Sequence, residues 1–370
     1  MEKNTSKLLY ASGEKDADIY YATGVATTDP YIYLENGRKK VMFANTLEFS
    51  RAKKNAKCKV ELLPVPKTNT DRKLGALLSI LKKRRIAAVS VPYDFPTGLA
   101  QRISSNGVKV SAVQSTQFFA ERAKKTEREI KRIAESQEAA QQAIELAIGI
   151  LAEATPDKTG KLVFENKPLT SEYVQSRIAA FLAGKGIAAG ETIVSSGPDT
   201  SMPHARGSGA IRNNAPVILD IFPQDLASRY HGDVTRTVFK GNPTTEFVRM
   251  YQAVQEVQQA GLDRLREGAV GVELYKYAVQ EFEKRGYKKT VAKQGVFGFN
   301  HGLGHGLGLD VHEEPWLNPI GGRLEAGNVV TVEPGLYYPK IGGVRIEDLV
   351  VVTKNGHRNL TRLSKELQVL

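Results

Sequence analysis

The sequence predicts an α+β protein in two parts, a small α/β unit over residues 1–122 and a larger α+β domain over residues 123–370. Three observations predict it. Short β-branched and aromatic runs fill the first 120 residues. A capping-box pattern opens a long helical stretch at Thr126. Beyond it, helical periodicity alternates with apolar runs that carry single acidic residues.

Taken in order, Ile19-Tyr-Tyr, Tyr31–Leu34, Lys40–Ala44 and Ile86–Val91 read as strands. Asp71–Arg84 reads as a helix, with Leu74, Leu77, Leu78 and Leu81 on one face. In Thr126-Glu-Arg-Glu129 the hydroxyl and the carboxylate can satisfy each other's orphan amides, so a helix should run from there to about Ala154. Further helices are expected at Ser171–Ala183, Thr245–Arg266 and Val272–Arg285, with Gly184 and Gly286 as left-handed terminators. Val217–Ile221, Thr235–Phe239, Val329–Val332 and Ile346–Val352 complete the strands.

Composition narrows the function class. The single cysteine, Cys58, excludes an intramolecular disulfide and suits a reducing, cytoplasmic compartment. No signal-peptide pattern and no uncharged apolar run long enough for a membrane span is present, so no membrane partner is expected. The net charge of +12 is concentrated early: residues 1–150 carry 26 Lys/Arg against 16 Asp/Glu, a difference of +10. The clusters Arg38–Lys40 and Lys82–Arg85 lack any nucleic-acid signature around them, and Lys82–Arg85 ends a helix, where cations favour the dipole. A solvated basic face is expected, not a nucleic-acid site.

The chemistry lies in the C-terminal part. Three of the six histidines fall between His301 and His312, in a glycine-rich run. Asp220 and Glu347 sit within apolar runs and Asp233 beside one, where an unpaired carboxylate is costly. Each has a bland explanation: Asp220 pairing with an arginine, Asp233 with Arg236, Glu347 with Arg345, Glu333 ending a strand, His305 a satisfied core histidine. Five such accidents together are improbable. Asp220, Asp233, His305, Glu333 and Glu347 therefore make a hard, oxygen-rich ligand set suited to two divalent ions, Mn²⁺ first, with Co²⁺, Fe²⁺ or Zn²⁺ as alternatives. Two such ions can generate a nucleophile and polarise a carbonyl together. The glycine run is no dinucleotide fingerprint, since Leu307 stands where the third glycine belongs. Cys58 has no local histidine, and no serine elbow exists.

These residues resemble those of the pita-bread-fold metallopeptidases, specifically the Xaa-Pro aminopeptidase and prolidase group, along the whole chain. The matching motifs are Ser196-Gly-Pro with Pro203-His204, Leu219-Asp220, Gly232-Asp-Val-Thr-Arg-Thr237, His301-Gly-x-Gly-His305 through His312-Glu, Val332-Glu-Pro-Gly335 and Arg345-Ile-Glu347. The resemblance implies a creatinase-like N-terminal domain, a pita-bread catalytic domain and a homodimer. It also implies that Asp220 holds one ion, His305 and Glu333 the other, with Asp233 and Glu347 bridging. Glu333 would be the general base, His204, His301 and His312 would line the substrate site, and Arg345 would orient a ligand carboxylate.

Two departures matter. Phe222 stands where the family has a glycine, and Asp220 lies thirteen residues before Asp233 instead of eleven, which implies a hairpin insertion through Pro223-Gln-Asp225 and makes Asp225 a rival ligand. Trp316 replaces the arginine that dipeptidases of the group often use for the substrate carboxylate. The expected activity is thus removal of an N-terminal residue preceding proline, with aminopeptidase favoured and Xaa-Pro dipeptidase as the alternative. The substrates would be peptides with proline at the second position. A creatinase-like amidinohydrolase or a non-catalytic binding module fits less well, because both lack the full ligand set.

Overall fold

A computed structural model describes residues 5–65, 71–293 and 295–370. The chain forms two compact units, Met1–Arg122 and Ala123–Leu370.

The first unit is built on a mixed sheet. Its elements are β1 (Ser6–Ala11), α1 (Ala17–Thr23), β2 (Tyr31–Asn36), β3 (Lys39–Ala44), α2 (Phe49–Asn55), β4 (Lys59–Leu62), α3 (Arg72–Lys83), β5 (Ala88–Val91), α4 (Thr97–Ser105) and β6 (Lys109–Ala112). The strand order is β4-β3-β2-β1-β5-β6. The β1–β2–β3 meander is antiparallel, and β4, β5 and β6 add in parallel. Leu74, Leu77, Ile80 and Leu81 of α3 pack with Leu8, Ile32, Leu34 and Val89, so the predicted apolar face is the buried one. Ile19-Tyr-Tyr departs from expectation, being helix α1 and not a strand. The Asp16 carboxylate caps it by accepting from the Ile19 amide, and Gly24 ends it in the left-handed region (φ 70°).

The second unit opens with α5 (Glu127–Glu153), whose capping box is complete: Thr126 and Glu129 each accept from the other's backbone amide. With α6 (Ser171–Ala183) it buries its apolar face on an antiparallel sheet of β7 (Ile193–Ser196), β8 (Ala215–Ile221) and β9 (Val234–Lys240). Helices α7 (Thr245–Leu262) and α8 (Gly271–Lys284) cover further strands in the same way. These are β10 (Gly304–Gly306), β11 (Glu313–Leu317), β12 (Val329–Val332), β13 (Gly335–Tyr338), β14 (Gly342–Arg345), β15 (Asp348–Thr353) and β16 (Gly356–Asn359). Five of them form the sheet β11-β10-β12-β15-β16, and β13 pairs with β14. The unit is α+β, as expected.

Differences from the sequence reading are local. The run expected as one strand from Ile346 to Val352 is broken, leaving Ile346 and Glu347 between β14 and β15. Helix α7 stops at Leu262, short of Arg266. Gly184 keeps right-handed geometry (φ −60°), and the left-handed residue after α6 is Gly186 (φ 74°). Gly286 is left-handed (φ 88°), as predicted. No helix among the described residues is long and apolar enough to cross a membrane.

Candidate metal centre

Strand ends bring the acidic residues together. Asp220 lies near the end of β8, Asp233 just before β9, His305 in β10, Glu333 just after β12 and Glu347 between β14 and β15. All five line one cavity of about 510 Å³, shared with His204, His301, His312, Arg345, Phe222, Trp316 and Arg206. Asp225 is not among the lining residues. It lies in the segment expected as a hairpin insertion, where Gln224 and Asp225 pair with Ala188 and Ile187, and its carboxylate accepts from the Ser228 amide at 2.5 Å.

Close backbone packing fixes these positions. A Cβ at Gly232 would lie 2.7 Å from the Gln137 nitrogen of α5, so only glycine lets the chain pass there to Asp233. Gln137 then holds Asp233 by its backbone, its Oε1 accepting from the Asp233 amide (2.7 Å) and its Nε2 donating to the Asp233 carbonyl (2.9 Å). Likewise, a Cβ at Gly304 would collide with the Thr331 carbonyl, which places His305 beside the end of β12.

His305 Nε2 lies 3.3 Å from Glu333 Oε1 and 3.7 Å from Asp233 Oδ2. Its Nδ1 faces the Gly306 carbonyl at 3.1 Å, which favours the tautomer whose Nε2 carries a lone pair that could ligate a metal. Asp233, His305 and Glu347 each offer a ligand atom within 4.8 Å of the others. Thr235 donates to Glu347 Oε2 at 2.7 Å and accepts from Arg345 Nε at 3.2 Å. Arg345 also donates to Asp220 Oδ2 (2.6 Å) and to the Tyr337 hydroxyl (2.8 Å), which in turn lies 3.0 Å from His301 Nε2.

The bland pairings mostly fail. Arg236 bonds Asp348 and the Glu347 carbonyl, not the Asp233 side chain. Asp220 does pair with an arginine, yet its Oδ1 is buried with no hydrogen-bond partner. That atom carries a price of roughly 1–3 kcal/mol unless a cation meets it.

Electrostatics agree. Burial first, then the Glu347 and Asp220 charges, push the Asp233 carboxyl well above the usual range. Glu347 is raised likewise, by burial and then by Glu333 and Asp220. Glu333 goes the other way: burial opposes its ionisation, but the His305 hydrogen bond and charge, with His301 and Arg345, outweigh it. His305 is correspondingly raised despite burial, through Glu333. Desolvation, then His305, holds His312 down at about 4, and its ring stacks edge-on to His305 at 4.3 Å between centroids. A buried nest of carboxylates with an unmet oxygen and an imidazole nitrogen fits divalent cations, which supply the missing charge.

Several contributors were not visible in the sequence reading. Gln137, Thr235 and Tyr337 act through contacts distant in sequence. Lys125 and Glu313 form a buried ion pair of 2.6 Å beside the His312 loop. Only the capping box hinted at Gln137, by predicting the helix that carries it.

The comparisons follow the same lines. Residues 122–354 match the family model described as metallopeptidase family M24. Along 371 residues the chain is 30% identical to an Xaa-Pro dipeptidase of Pyrococcus horikoshii, covering 99% of this chain and 96% of that one. It is 38% identical over 184 residues to the uncharacterized peptidase YqhT of Bacillus subtilis, about half of each chain. The prolidase structure from Pyrococcus horikoshii OT3 superposes with a TM-score of 0.80 at 27% identity, covering 98% of this chain and 95% of that one. The X-Pro aminopeptidase structure from Thermotoga maritima MSB8 shares the fold, with a TM-score of 0.81 at 23% identity, covering 99% of this chain and 98% of that one. The clustered carboxylates and His305 thus sit in a catalytic domain of known kind, and the chain belongs to metallopeptidase family M24.

Proposed function

We propose that the protein is an Xaa-Pro dipeptidase that works with two divalent ions. The observation that carries this is the buried set of Asp220, Asp233, His305, Glu333 and Glu347 on one cavity wall. By sequence alone, Trp316 in place of an arginine favours an aminopeptidase. Two relatives matched over nearly their whole length are named Xaa-Pro dipeptidase, which supports the alternative. The indole remains a good partner for substrate, because an aromatic face packs on a proline ring without needing an N–H from it.

In this reading Asp220, Asp233, His305, Glu333 and Glu347 would hold the two ions between them. When bound, the ions supply an activated water and polarise the scissile carbonyl. Arg345 orients Asp220 through its 2.6 Å hydrogen bond. Glu333 is kept ionised by His305, and its carboxylate accepts the proton released as water attacks and returns it to the proline nitrogen. His312, neutral near pH 7, donates from its ring to the carbonyl oxygen as charge develops there. His301 is held by Tyr337, and with His204 it shapes the substrate side of the cavity. Manganese as the working metal, a homodimer and a cytoplasmic location complete the proposal, on the resemblance and the cysteine usage.

The test is hydrolysis by metal-stripped protein reloaded with Mn²⁺, Co²⁺, Fe²⁺ or Zn²⁺, with metal content measured by mass spectrometry. Xaa-Pro dipeptides should be cleaved and longer Xaa-Pro peptides poorly. Equal cleavage of longer peptides would restore the aminopeptidase reading. Full activity with less than one metal per chain would defeat both.

A further inference from the structure

Two always-charged side chains line the cavity, Arg345 and Arg206. Arg345 is enclosed and engaged by Asp220, Tyr337, Thr235 and the Pro203 carbonyl. Arg206 is different. Its backbone is fixed: the carbonyl accepts from the Val194 amide of β7 (2.9 Å) and from Gln175 Nε2 (2.7 Å). Gly207, which follows, is left-handed (φ 81°), and a Cβ there would collide with the Val194 carbonyl. The side chain, by contrast, is about half exposed (52%), and among the described residues its ionic neighbour is Glu191, 4.0 Å away and 79% exposed. Such a surface pair is weak and readily exchanged.

An Xaa-Pro dipeptide brings a free carboxylate on the proline Cα, two bonds from the proline nitrogen that leaves. That anion enters a cavity already lined by Asp220, Asp233, Glu333 and Glu347, and needs a cation of its own. A guanidinium presents two parallel N–H donors to a carboxylate, which gives it both charge and geometry. We propose that Arg206 binds the C-terminal carboxylate of the dipeptide, displacing Glu191, and so limits substrate length. The proposal rests on the dipeptidase reading above and names the residue that makes the enzyme one.

The experiment compares Ala-Pro with its C-terminal amide on the metal-loaded wild type, Arg206→Met and Arg206→Lys. The wild type should prefer the free acid. Arg206→Met should raise KM for Ala-Pro roughly 10–100-fold with kcat little changed, the loss expected for a charged hydrogen-bond pair. Its KM for the amide should stay within about twofold, since no carboxylate is there to lose. Arg206→Lys should fall between, because an ammonium keeps the charge without the fork. A wild type that prefers the acid, with Arg206→Met unchanged or equally impaired on both substrates, overturns this assignment alone. A wild type that handles the amide as well as the acid overturns the dipeptidase reading and this assignment together.

Discussion

Arg345 Nη2 lies 2.6 Å from Asp220 Oδ2, while Asp220 Oδ1 is buried without a hydrogen-bond partner. One oxygen is thus pinned, and the other is the atom that the proposed metal centre would use. The pinning costs the chain an enclosed guanidinium, which is satisfied by Tyr337, Thr235 and the Pro203 carbonyl as well. Arg345→Met should therefore weaken metal binding about 10–100-fold, as loss of a group that orients a ligand does. Arg345→Lys should recover part of it. Metal titration followed by mass spectrometry reads this, and a normal affinity with a lowered kcat would mean that Arg345 serves substrate and not Asp220.

His312 faces the cavity seven residues beyond His305, with its ring edge-on to the other. Because its pKa is held down at about 4, it is a neutral donor at pH 7. His312→Ala should lower kcat by about 10²–10³ while both metals stay bound, the usual cost of losing one donor to a developing oxyanion. Loss of a metal in this variant would make His312 a ligand, contrary to the role argued here.

Lys125 Nζ and Glu313 Oε1 are 2.6 Å apart, and both side chains are almost wholly buried. Gly308 leaves them room, since a Cβ there would lie 2.6 Å from Glu313 Oε1. Lys125→Met removes the buried cation that faces Glu313 Oε1 beside the His312 loop and should cost about 3–5 kcal/mol of stability. The double variant Lys125→Met with Glu313→Met should recover most of that, as two apolar chains replace the pair. Urea unfolding of the three proteins tests it, and a single variant within about 1 kcal/mol of wild type would show that the pair contributes little.

What the sequence disclosed, and what it hid, follows from range. Local signals were legible: the Thr126–Glu129 box foretold α5, and Leu74 through Leu81 foretold the buried face of α3. The five acidic and histidine positions were legible because carboxylates in or beside apolar strands are unusual enough to need a reason. Ile19-Tyr-Tyr misled because aromatic content outweighed the Asp16 cap and Gly24 on either side. Arg206, Gln137 and the Lys125–Glu313 pair were hidden for another reason. Each matters through a partner or a cavity that only the folded chain supplies, 188 residues away in the last case.

The same cluster makes the metal-free protein sensitive to pH. Asp233 and Glu347 have pKa values raised above 3.8 and 4.5, by burial and by their neighbours' charges. At about 5 Å and an effective dielectric near 20, each ionised pair repels by roughly 3 kcal/mol. A raised carboxyl contributes stability that is complete below its unfolded pKa and is lost as pH rises through the folded one. His305, also raised above 6.5, adds loss in the same direction. Glu333 is lowered, so its contribution is already complete above about pH 4.5 and does not oppose the trend. Between pH 5 and 8 the metal-free protein should therefore lose stability steadily. Bound metal favours the ionised carboxylates and the neutral imidazole, so the loaded protein should hold or gain stability over that range. Thermal melts of both forms across pH 5–8 measure the gap, which should widen with pH. A constant gap would mean that these carboxylates do not share a single charge-starved site.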